Sequence, residues 1–282
     1  MTINKIVAPA KINLNLHITG KNKDNYHLLS SLVCFTEFGD ELDIKPRNDK
    51  QFNLKIIGDY ANSLSNTDNL IIKGANLIAE QFDDFKGADI ILNKKIPVAS
   101  GIGGGSTDCA TTIKTLLKLW NKQEPKNIEE LLLSLGADIP VCYYAKAVIM
   151  QGIGQDLTPV NIPSFYIVLA NPNIAISTKE VFKKFAQNPD IKNNINFKST
   201  NNYNDFLKSI ANSENVLQKP AVEICNKILE LLDNIADSGA DAVAMSGSGA
   251  TCYGIYPDKQ SALNGFNKID NKYWKTITRV KL

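Results

Sequence analysis

The chain has 282 residues, of which 44% are hydrophobic and 21% are charged, the balance of a globular protein with one large domain or two modest ones. Its 31 basic and 29 acidic residues leave a formal charge of +2, which excludes a bulk polycationic surface for nucleic acid. No apolar run approaches the roughly 18 residues needed to span a bilayer. We therefore expect neither nucleic acid nor a membrane as a partner.

The five cysteines are odd in number and form no C-x-x-C pair. This pattern is typical of reduced, mostly buried thiols, and it favours a cytoplasmic protein. Only His17 and His27 are present, so we do not expect a histidine-based zinc site. Oxygen ligands would hold any metal here, and Mg²⁺ is the natural candidate.

The N-terminal part of the chain predicts several strands and one helix. Ile6–Ala8 is strand-like, and Ile12–Ile18 alternates apolar with polar residues as a half-buried strand does. Leu32–Phe35 is a further apolar segment. Asn69–Phe82 carries a helical stripe of apolar residues, and Ala88–Leu92 predicts a strand that leads into a glycine-rich loop.

The part after that loop begins with two predicted helices. Asp108–Trp120 places its apolar residues on one helical face, and Ile128–Leu135 is a short helix that ends at Gly136. Val148–Gln151 is strand-like, and the stretch rich in Gly and Pro after it predicts two domains, 1–155 and 156–282. The remaining predicted elements are a strand at Tyr166–Ala170, helices at Thr178–Ala186 and Ala221–Asn234, and a hairpin at Ala242–Tyr256. Because strands and helices mix without regular βαβ alternation, the sequence predicts an α+β fold.

The most informative segment is the glycine loop, which reads Pro97-Val98-Ala99-Ser100-Gly101-Ile102-Gly103-Gly104-Gly105-Ser106-Thr107-Asp108. Glycines let a backbone approach an anion and turn its N–H groups inwards, and the following helix adds unpaired N–H groups and the positive end of its dipole. We interpret the loop as a phosphate cradle, with a flexible turn and a Ser/Thr helix cap as the alternative. The G-K-[ST] of a Walker loop, the last glycine of G-x-G-x-x-G and the H-R-D and D-F-G motifs of protein kinases are all missing.

Two further segments carry polar residues whose role is open when each is taken alone. The first, Pro9-Ala10-Lys11-Ile12-Asn13-Leu14, places Lys11 and Asn13 on the same side of a strand. Lys11 is either functional or a solvated strand residue. In the second, Leu135-Gly136-Ala137-Asp138-Ile139-Pro140, Asp138 is either functional or an ordinary helix cap.

In order along the chain, these segments resemble the GHMP kinases, the superfamily of galactokinase, homoserine kinase, mevalonate kinase and phosphomevalonate kinase. The glycine loop is similar to their ATP-binding motif P-x-x-x-G-[IL]-G-G-G-S-[ST]-[DN]. Its triple-glycine form, with P-A-K-[IL]-N-L, L-G-A-D-[IV]-P and Asp24-Asn25-Tyr26-His27, resembles the branch that phosphorylates 4-diphosphocytidyl-2-C-methyl-D-erythritol. Asn25 replaces the usual glycine of D-G-Y-H, and we expect the turn to survive because asparagine tolerates left-handed backbone.

The resemblance implies a two-domain α+β GHMP kinase fold, with an N-terminal domain like domain 2 of ribosomal protein S5 and a ferredoxin-like C-terminal domain. It implies an enzyme that uses ATP and Mg²⁺ to phosphorylate the 2-hydroxyl of a cytidine-diphosphate-linked methylerythritol, in the non-mevalonate route to isoprenoids. The sequence is compatible with a monomer or a homodimer.

The resemblance also implies a catalytic pair and a nucleotide site. Asp138 is the base or orienting acceptor, and Lys11 is the cation that holds it ionised and stabilises the transferring phosphoryl group. Ser106 and Thr107 are candidates to touch phosphate or Mg²⁺. For Asn69 and Lys94, near the adenine in the family, a helix cap and a surface charge are the alternatives. The implied nucleotide site consists of Asn69, Lys94, Pro97, Val98, Ala99, Ser100, Gly101, Ile102, Gly103, Gly104, Gly105, Ser106 and Thr107.

The implied substrate site is centred on a cytosine pocket. Tyr26 stacks on the base and His27 hydrogen-bonds its edge, while Phe182 has core packing as its alternative role. Met245–Thr251 resembles the family motif S-G-S-G-P-T, and with Ala250 in place of proline we expect the loop N–H groups to stay available. The implied residues are Asn13, Tyr26, His27, Thr178, Phe182, Gly247, Ser248 and Gly249.

Two other functions are left open by these residues. Another kinase of the superfamily, of the homoserine or mevalonate type, would keep the glycine loop and lose the cytosine pocket, which Tyr26 and His27 argue against. A non-catalytic relative that senses nucleotide would be free to discard Lys11 and Asp138, and both are present.

Overall fold

The computed structural model describes residues 3–65, 68–211 and 213–282, which form two compact units. The units are interleaved along the sequence, whereas the predicted domains 1–155 and 156–282 come from a single cut, so that division stays a prediction. Unit 1 contains the residues up to Ala10, Phe38–Val98 and Gly103–Ala145, and unit 2 contains Lys11–Glu37, Ala99–Ile102 and Lys146–Leu282.

Helices and strands are mixed along the described residues, in agreement with the predicted α+β class. In chain order they are β1 (Ile3–Asn13), β2 (His17–Lys21), β3 (His27–Pro46), β4 (Phe52–Ile57), α1 (Leu70–Ala79), β5 (Ala88–Asn93), α2 (Gly104–Leu119), α3 (Ile128–Leu135), α4 (Ile139–Tyr144), β6 (Val148–Gly152), β7 (Asp156–Pro159), β8 (Tyr166–Asn171), α5 (Thr178–Phe185), α6 (Tyr203–Ala211), α7 (Gln218–Ile224), α8 (Lys227–Ala236), β9 (Ala242–Met245), β10 (Cys252–Tyr256), α9 (Lys259–Lys268) and β11 (Trp274–Lys281). None of these helices is long and apolar enough to cross a membrane.

Unit 1 packs helices against a small sheet. Its strand β5 pairs antiparallel with the second half of β3 and parallel with β4, and β4 alternates half-buried with exposed residues. Helices α1 and α2 pack against each other through small and branched residues, among them Gly74 on α1 and Cys109 and Ile113 on α2. A Cβ on Gly74 would lie 2.5 Å from the Cys109 sulfur, so glycine permits the close approach of the two helices. This packing sets the position of the first turn of α2.

Unit 2 is built on an antiparallel sheet with the strand order β11-β8-β10-β9. Its core joins this sheet to α5, α7, α8 and α9 through buried apolar side chains such as Val168, Val181, Phe185, Leu231 and Ile235. The first half of β3 pairs with β2, β6 and the end of β11, and β6 pairs with β7. Unit 2 therefore contains both Lys11–Glu37 and Lys146–Leu282.

Several predicted elements are confirmed, and two are wrong. The predicted strand Ile12–Ile18 is interrupted, because β1 ends at Asn13 and β2 begins at His17. In the gap, the Asn15 side chain accepts a hydrogen bond from the Leu32 backbone at 2.7 Å, so a side chain replaces a strand partner there. The predicted helix Ala221–Asn234 is two helices, α7 and α8, separated at Cys225, whose backbone is extended.

Candidate functional site

The first turn of α2 carries the second half of the glycine loop, in unit 1. Gly103 occupies the N-cap with φ 69°, in the left-handed region, and no side chain caps the helix there. The first N–H groups of a helix lack carbonyl partners within it, so this end offers N–H donors and a positive dipole. A Cβ on Gly105 would meet no atom within 4 Å, and Ser106 is half-buried. This open, donor-rich helix end has the features of an anion-binding surface.

Thr107 differs from its neighbours in the loop because its side chain is fully buried. Its hydroxyl donates to the carbonyl oxygens of Gly103 and Gly104 at 3.1 and 2.9 Å. A contact between this hydroxyl and a phosphate or a metal would have to replace those two bonds. The half-buried Ser106 is the more accessible of the two hydroxyl residues.

A buried charged cluster lies beside this helix end. The Lys94 ammonium donates to Oδ2 of Asp40 and, at 2.8 Å, to Oδ2 of Asp108, and all three side chains are at most 3% exposed. Asp40 Oδ1 also accepts from the backbone N–H groups of Lys95 and Ile96 at 2.6 and 2.9 Å. The surface-charge alternative for Lys94 is therefore wrong, and its place near adenine stays a prediction.

The two carboxyl groups of this cluster are not equivalent. Asp108 Oδ1 is buried and has no hydrogen-bond partner among the residues that the structure describes. Burial raises the pKa of Asp108, the nearby Asp40 charge adds to the rise, and Lys94 opposes it. Burial would lower the pKa of Lys94, but the charges of Asp108 and Asp40 outweigh it and the pKa is raised. Sequence reasoning missed both acids as site residues, although Asp108 ends the glycine motif itself.

Asp138 and Asn69 both occupy helix N-caps in unit 1, but they use their side chains differently. Asn69 Oδ1 accepts from the Ile71 N–H at 3.0 Å, which caps α1, so the structure supports the cap alternative for Asn69. Asp138 is half-buried at the N-cap of α4, and its carboxylate makes no capping hydrogen bond. Capping therefore explains the side chain of Asn69 and not that of Asp138.

In unit 2 the first half of the glycine loop packs backbone to backbone against the loop between β9 and β10. Gly101 has φ 77°, and a Cβ there would lie 2.5 Å from the Gly249 oxygen. Gly247 has φ 57°, and a Cβ there would lie 2.8 Å from the Gly101 oxygen. Both positions therefore require glycine for conformation and for space. The Gly249 N–H donates to the Ser246 carbonyl at 3.0 Å, so the expectation that it stays available is wrong.

Neutral hydrogen bonds, from backbone and side-chain groups, hold these two loops in place. The Asn13 N–H donates to Ser246 Oγ at 3.0 Å, and that hydroxyl donates to the Gly101 carbonyl at 3.2 Å. Asn215 Nδ2 donates to the carbonyls of Met245 and Gly247 at 2.8 and 2.7 Å. We call Asn13, Ser246 and Asn215, all buried, the amide network. Of these three, only Asn13 was predicted as a site residue. Ser246 lies within the motif Met245–Thr251 but was given no role, and Asn215 lies far from any glycine motif in the sequence.

Lys11, the predicted catalytic lysine, lies on β1, the same strand as Asn13. It is 3% exposed, and its backbone N–H donates to the Ile102 carbonyl at 3.0 Å, which ties β1 to the glycine loop. The alternative of a solvated strand residue is therefore wrong.

Two pairs of residues from the predicted substrate site are in contact in unit 2, and the cytosine pocket itself stays a prediction. The rings of His27 and Phe182 lie 5.0 Å apart between centroids, and the Tyr26 side chain is 64% exposed. Thr178 and Ser248 share a hydrogen bond of 2.8 Å between their hydroxyl oxygens. Asn25 has φ 68°, which confirms that asparagine takes the left-handed turn position.

His27 is set up to hydrogen-bond as a neutral ring. Burial, and to a smaller extent the positive charge of Lys21, lower its pKa. Neutral imidazole offers one donor and one acceptor, a combination that suits the edge of a nucleobase. The preceding residue, Tyr26, carries an exposed aromatic ring, the kind of group on which a base can stack.

Comparison with known proteins identifies the family. Models of the GHMP kinases N terminal domain and the GHMP kinases C terminal match residues 69–146 and 194–276. A 4-diphosphocytidyl-2-C-methyl-D-erythritol kinase from Ruegeria pomeroyi is 42% identical over 89% of this chain and 88% of its own. The chain belongs to the 4-diphosphocytidyl-2-C-methyl-D-erythritol kinase family of GHMP kinases.

Other members of the GHMP kinases extend the match to the whole chain. A kinase of the same name from Agrobacterium fabrum is 38% identical over 94% of this chain and 91% of its own. A crystal structure of 4-(cytidine 5'-diphospho)-2C-methyl-D-erythritol kinase aligns over 100% of both chains with a TM-score of 0.82 and 25% identity. Homoserine kinase from Cytophaga hutchinsonii covers 100% of this chain and 95% of its own, with a TM-score of 0.70 at 16% identity, and shares the fold. The two-domain GHMP kinase fold is thereby confirmed.

Proposed function

We propose that the protein transfers the γ-phosphoryl group of ATP to the 2-hydroxyl of 4-diphosphocytidyl-2-C-methyl-D-erythritol, with ADP and the 2-phosphate as products. This places it in the non-mevalonate route to isoprenoid precursors. The observation that carries the proposal is the 42% identity, over 89% of the chain, to a kinase of that name. The resemblance in the glycine loop and at Lys11 and Asp138 supports it.

We assign recognition of the cytidine part of the substrate to Tyr26, His27, Thr178 and Phe182. The neighbouring rings of His27 and Phe182 and the exposed Tyr26 ring support this role. The homoserine and mevalonate alternatives lack a base to recognise, so this cluster favours the cytidyl substrate over them. Gly247, Ser248 and Gly249, beside Thr178, are proposed to contribute to the substrate site.

Phosphate binding is proposed for the glycine loop, from Pro97 to Thr107, with Asn69 and Lys94 on the adenine side. The residues fit a nucleotide, because the open space at Gly105 and the donor-rich start of α2 suit an anion. When bound, Mg²⁺ neutralises the charge that develops on the phosphates. Ser106 is its proposed protein ligand. Among the described residues there is no group of three or more His, Cys, Asp or Glu side chains that could hold a metal ion. Mg²⁺ is usually bound by one or two protein ligands together with phosphate and water.

The chemical roles fall to Asp138 and Lys11. Asp138 accepts a hydrogen bond from the substrate hydroxyl, or its proton, as the oxygen forms a bond to the γ-phosphorus. The bond from that phosphorus to the ADP oxygen breaks. Lys11 supplies positive charge to the transferring phosphoryl group. Both residues match the family motifs around the catalytic lysine and aspartate.

We further propose a cytoplasmic location and a monomer or homodimer. The location is supported by the five cysteines, which are all free thiols, four of them buried. Burial raises the pKa of the Cys34 and Cys252 thiols, which makes them poor nucleophiles and suits structural packing. Free thiols persist in a reducing compartment.

The decisive experiment measures ADP release from ATP, Mg²⁺ and the cytidyl substrate for the wild type and Asp138→Ala. We expect turnover that falls by about 10²- to 10⁴-fold in the variant, the usual contribution of a positioned acid or base. Glu130→Ala, which removes an exposed carboxylate of α3, is the matched control and should keep its activity. Turnover of homoserine or mevalonate instead would reassign the substrate. ATP binding without turnover of any of the three would favour the sensing protein.

A further inference from the structure

Strand β9 lies at the edge of the sheet in unit 2, where a strand has N–H and C=O groups that face away from its only neighbour in the sheet. At Met245, its last residue, two amide side chains bond to these groups. The Met245 N–H donates to Gln218 Oε1 at 2.9 Å, and the Met245 carbonyl accepts from Asn215 Nδ2 at 2.8 Å. Two amide side chains therefore take the place of a neighbouring strand at this residue.

The segment that carries Asn215 is itself held in place. Its backbone forms an isolated bridge with Leu16, which lies between β1 and β2. The Val216 N–H donates to the Leu16 carbonyl at 2.9 Å, and the Leu16 N–H donates to the Glu214 carbonyl at 3.1 Å. Asn215 Oδ1 accepts from the Leu217 N–H at 3.0 Å, which fixes the orientation of the amide group. The side chain is therefore set before it reaches β9.

The Asn215 amide also bonds to the loop that follows β9. Its nitrogen donates to the Gly247 carbonyl at 2.7 Å as well as to the Met245 carbonyl. An amide nitrogen has two hydrogens, and both are used on these carbonyls, so Asn215 has no donor left for a ligand. Next to Gly247, the Ser248 hydroxyl shares its hydrogen bond of 2.8 Å with Thr178. An effect of Asn215 on a ligand would therefore pass through this loop.

We propose that Asn215 and Gln218 are positioning residues for the substrate site, which hold loop 247–249 in the conformation that contacts the cytidyl substrate. The inference rests on the proposed function, which assigns that loop to the substrate site. The directions of the hydrogen bonds make the proposal specific. The side chain at position 215 must donate twice, whereas the side chain at position 218 has only to accept once.

The test uses two substitutions at each position, Asn215→Ala, Asn215→Asp, Gln218→Ala and Gln218→Glu. For each variant we measure the KM for the cytidyl substrate, the KM for ATP, the affinity for cytidine 5'-diphosphate and the hydrogen exchange of loop 247–249. Ser238→Ala is the matched control, because Ser238 is also buried in unit 2 and its hydroxyl bonds to the Tyr256 hydroxyl. It reports what the loss of a buried hydrogen bond in unit 2 does by itself.

The two alanine variants should separate the two substrates. We expect the KM for the cytidyl substrate to rise about tenfold in both, the effect of one or two lost neutral hydrogen bonds. The KM for ATP should stay within about twofold of the wild type, as in Ser238→Ala. The affinity for cytidine 5'-diphosphate should fall with the rise in the cytidyl KM, and loop 247–249 should exchange faster than in Ser238→Ala.

The two charged variants should behave in opposite ways. Asn215→Asp should be at least as impaired as Asn215→Ala, because it places a carboxylate oxygen against two carbonyl oxygens. Gln218→Glu should keep a cytidyl KM within about twofold of the wild type, because its carboxylate still accepts from the Met245 N–H.

Three outcomes would overturn the proposal. They are an unchanged cytidyl KM in both alanine variants, a rise in the ATP KM as large as the rise in the cytidyl KM, and a Gln218→Glu variant as impaired as Gln218→Ala. If the Asn215 variants do not fold, the two Gln218 variants decide. If the wild type turns over no cytidyl substrate, the proposed function fails, and the inference is then decided by hydrogen exchange. Exchange of loop 247–249 no faster than in Ser238→Ala would overturn it.

Discussion

The protein contains two buried polar regions that support glycine loops by different means. In unit 1, one ammonium and two carboxyl groups lie beside the start of α2. In unit 2, the amide network of Asn13, Ser246 and Asn215 holds the loop after β9 through neutral hydrogen bonds. A buried charge that loses its partner is far more costly than a neutral group that loses one bond. Loss of one partner from the charged cluster should therefore cost much of the free energy of unfolding, and that cost should depend on pH. Loss of one partner from the amide network should cost less and should not depend on pH.

The largest expected effect comes from removal of the central charge, in Lys94→Met. Two buried carboxyl groups would lose their shared donor, and we expect a loss of about 3–5 kcal/mol in the free energy of unfolding, measured by urea denaturation. Lys73→Met is the matched control, because Lys73 is 59% exposed in its ion pair with Asp68. Exposed pairs contribute about 0–1 kcal/mol. If Lys94→Met and Lys73→Met lost the same free energy of unfolding, the buried ion pairs would contribute no more to stability than an exposed one.

A smaller loss is expected when the amide network is cut, in Asn215→Ala. The carbonyls of Met245 and Gly247 would each lose a donor, and we expect a cost of about 1–3 kcal/mol in the same measurement. Asn264→Ala, at an exposed position on α9, should change the free energy by less than about 0.5 kcal/mol. A loss from Asn215→Ala that exceeds the loss from Lys94→Met would contradict the contrast between the two regions.

The third expected difference between the two regions is in the pH dependence of unfolding. An acid whose pKa is raised by folding binds its proton more tightly in the folded state, so the folded state loses stability as the pH rises from the usual aspartate pKa towards the raised pKa of Asp108. Unfolding at roughly pH 5 and pH 8 should show this loss in the wild type and a smaller one in Asp108→Asn. The deficit of Asn215→Ala should be the same at both pH values. A pH dependence unchanged by Asp108→Asn would contradict a raised pKa of Asp108 in the folded protein.

Local sequence patterns predicted most of the helices and strands. The helix at Ile128–Leu135 is predicted to the residue, because its apolar positions and Gly136 mark the stripe and the end. The missed break between β1 and β2 has a non-local cause, since Asn15 bonds to Leu32 on another strand. Helix α6, in a stretch rich in Asn and Lys, was also missed, because only a narrow apolar face containing Phe206 and Ile210 holds it on the core.

The site residues show the same difference between local sequence patterns and long-range contacts. Glycine motifs and the D-N-Y-H turn are short and local, so their residues were found from sequence. Asp40 and Asn215 were not, because each is an isolated polar residue whose partners lie far away, 54 residues from Asp40 to Lys94 and 32 from Asn215 to Gly247. A buried acid or amide has no local signature, and only packing shows that it is paired.

The interleaving of the two units also has a consequence for how the protein is made. The chain crosses from one unit to the other five times, after Ala10, Glu37, Val98, Ile102 and Ala145. Strand β11 pairs with β3 through Val280 and Thr36, so the sheet of unit 2 stays incomplete until β11 has been synthesised. Larger proteins usually fold one domain at a time during synthesis, but unit 2 cannot complete its fold in this way, because it needs segments from both ends of the chain. Until then β3 and β8 lack β11 as a partner, and an unpaired strand edge can pair with another chain.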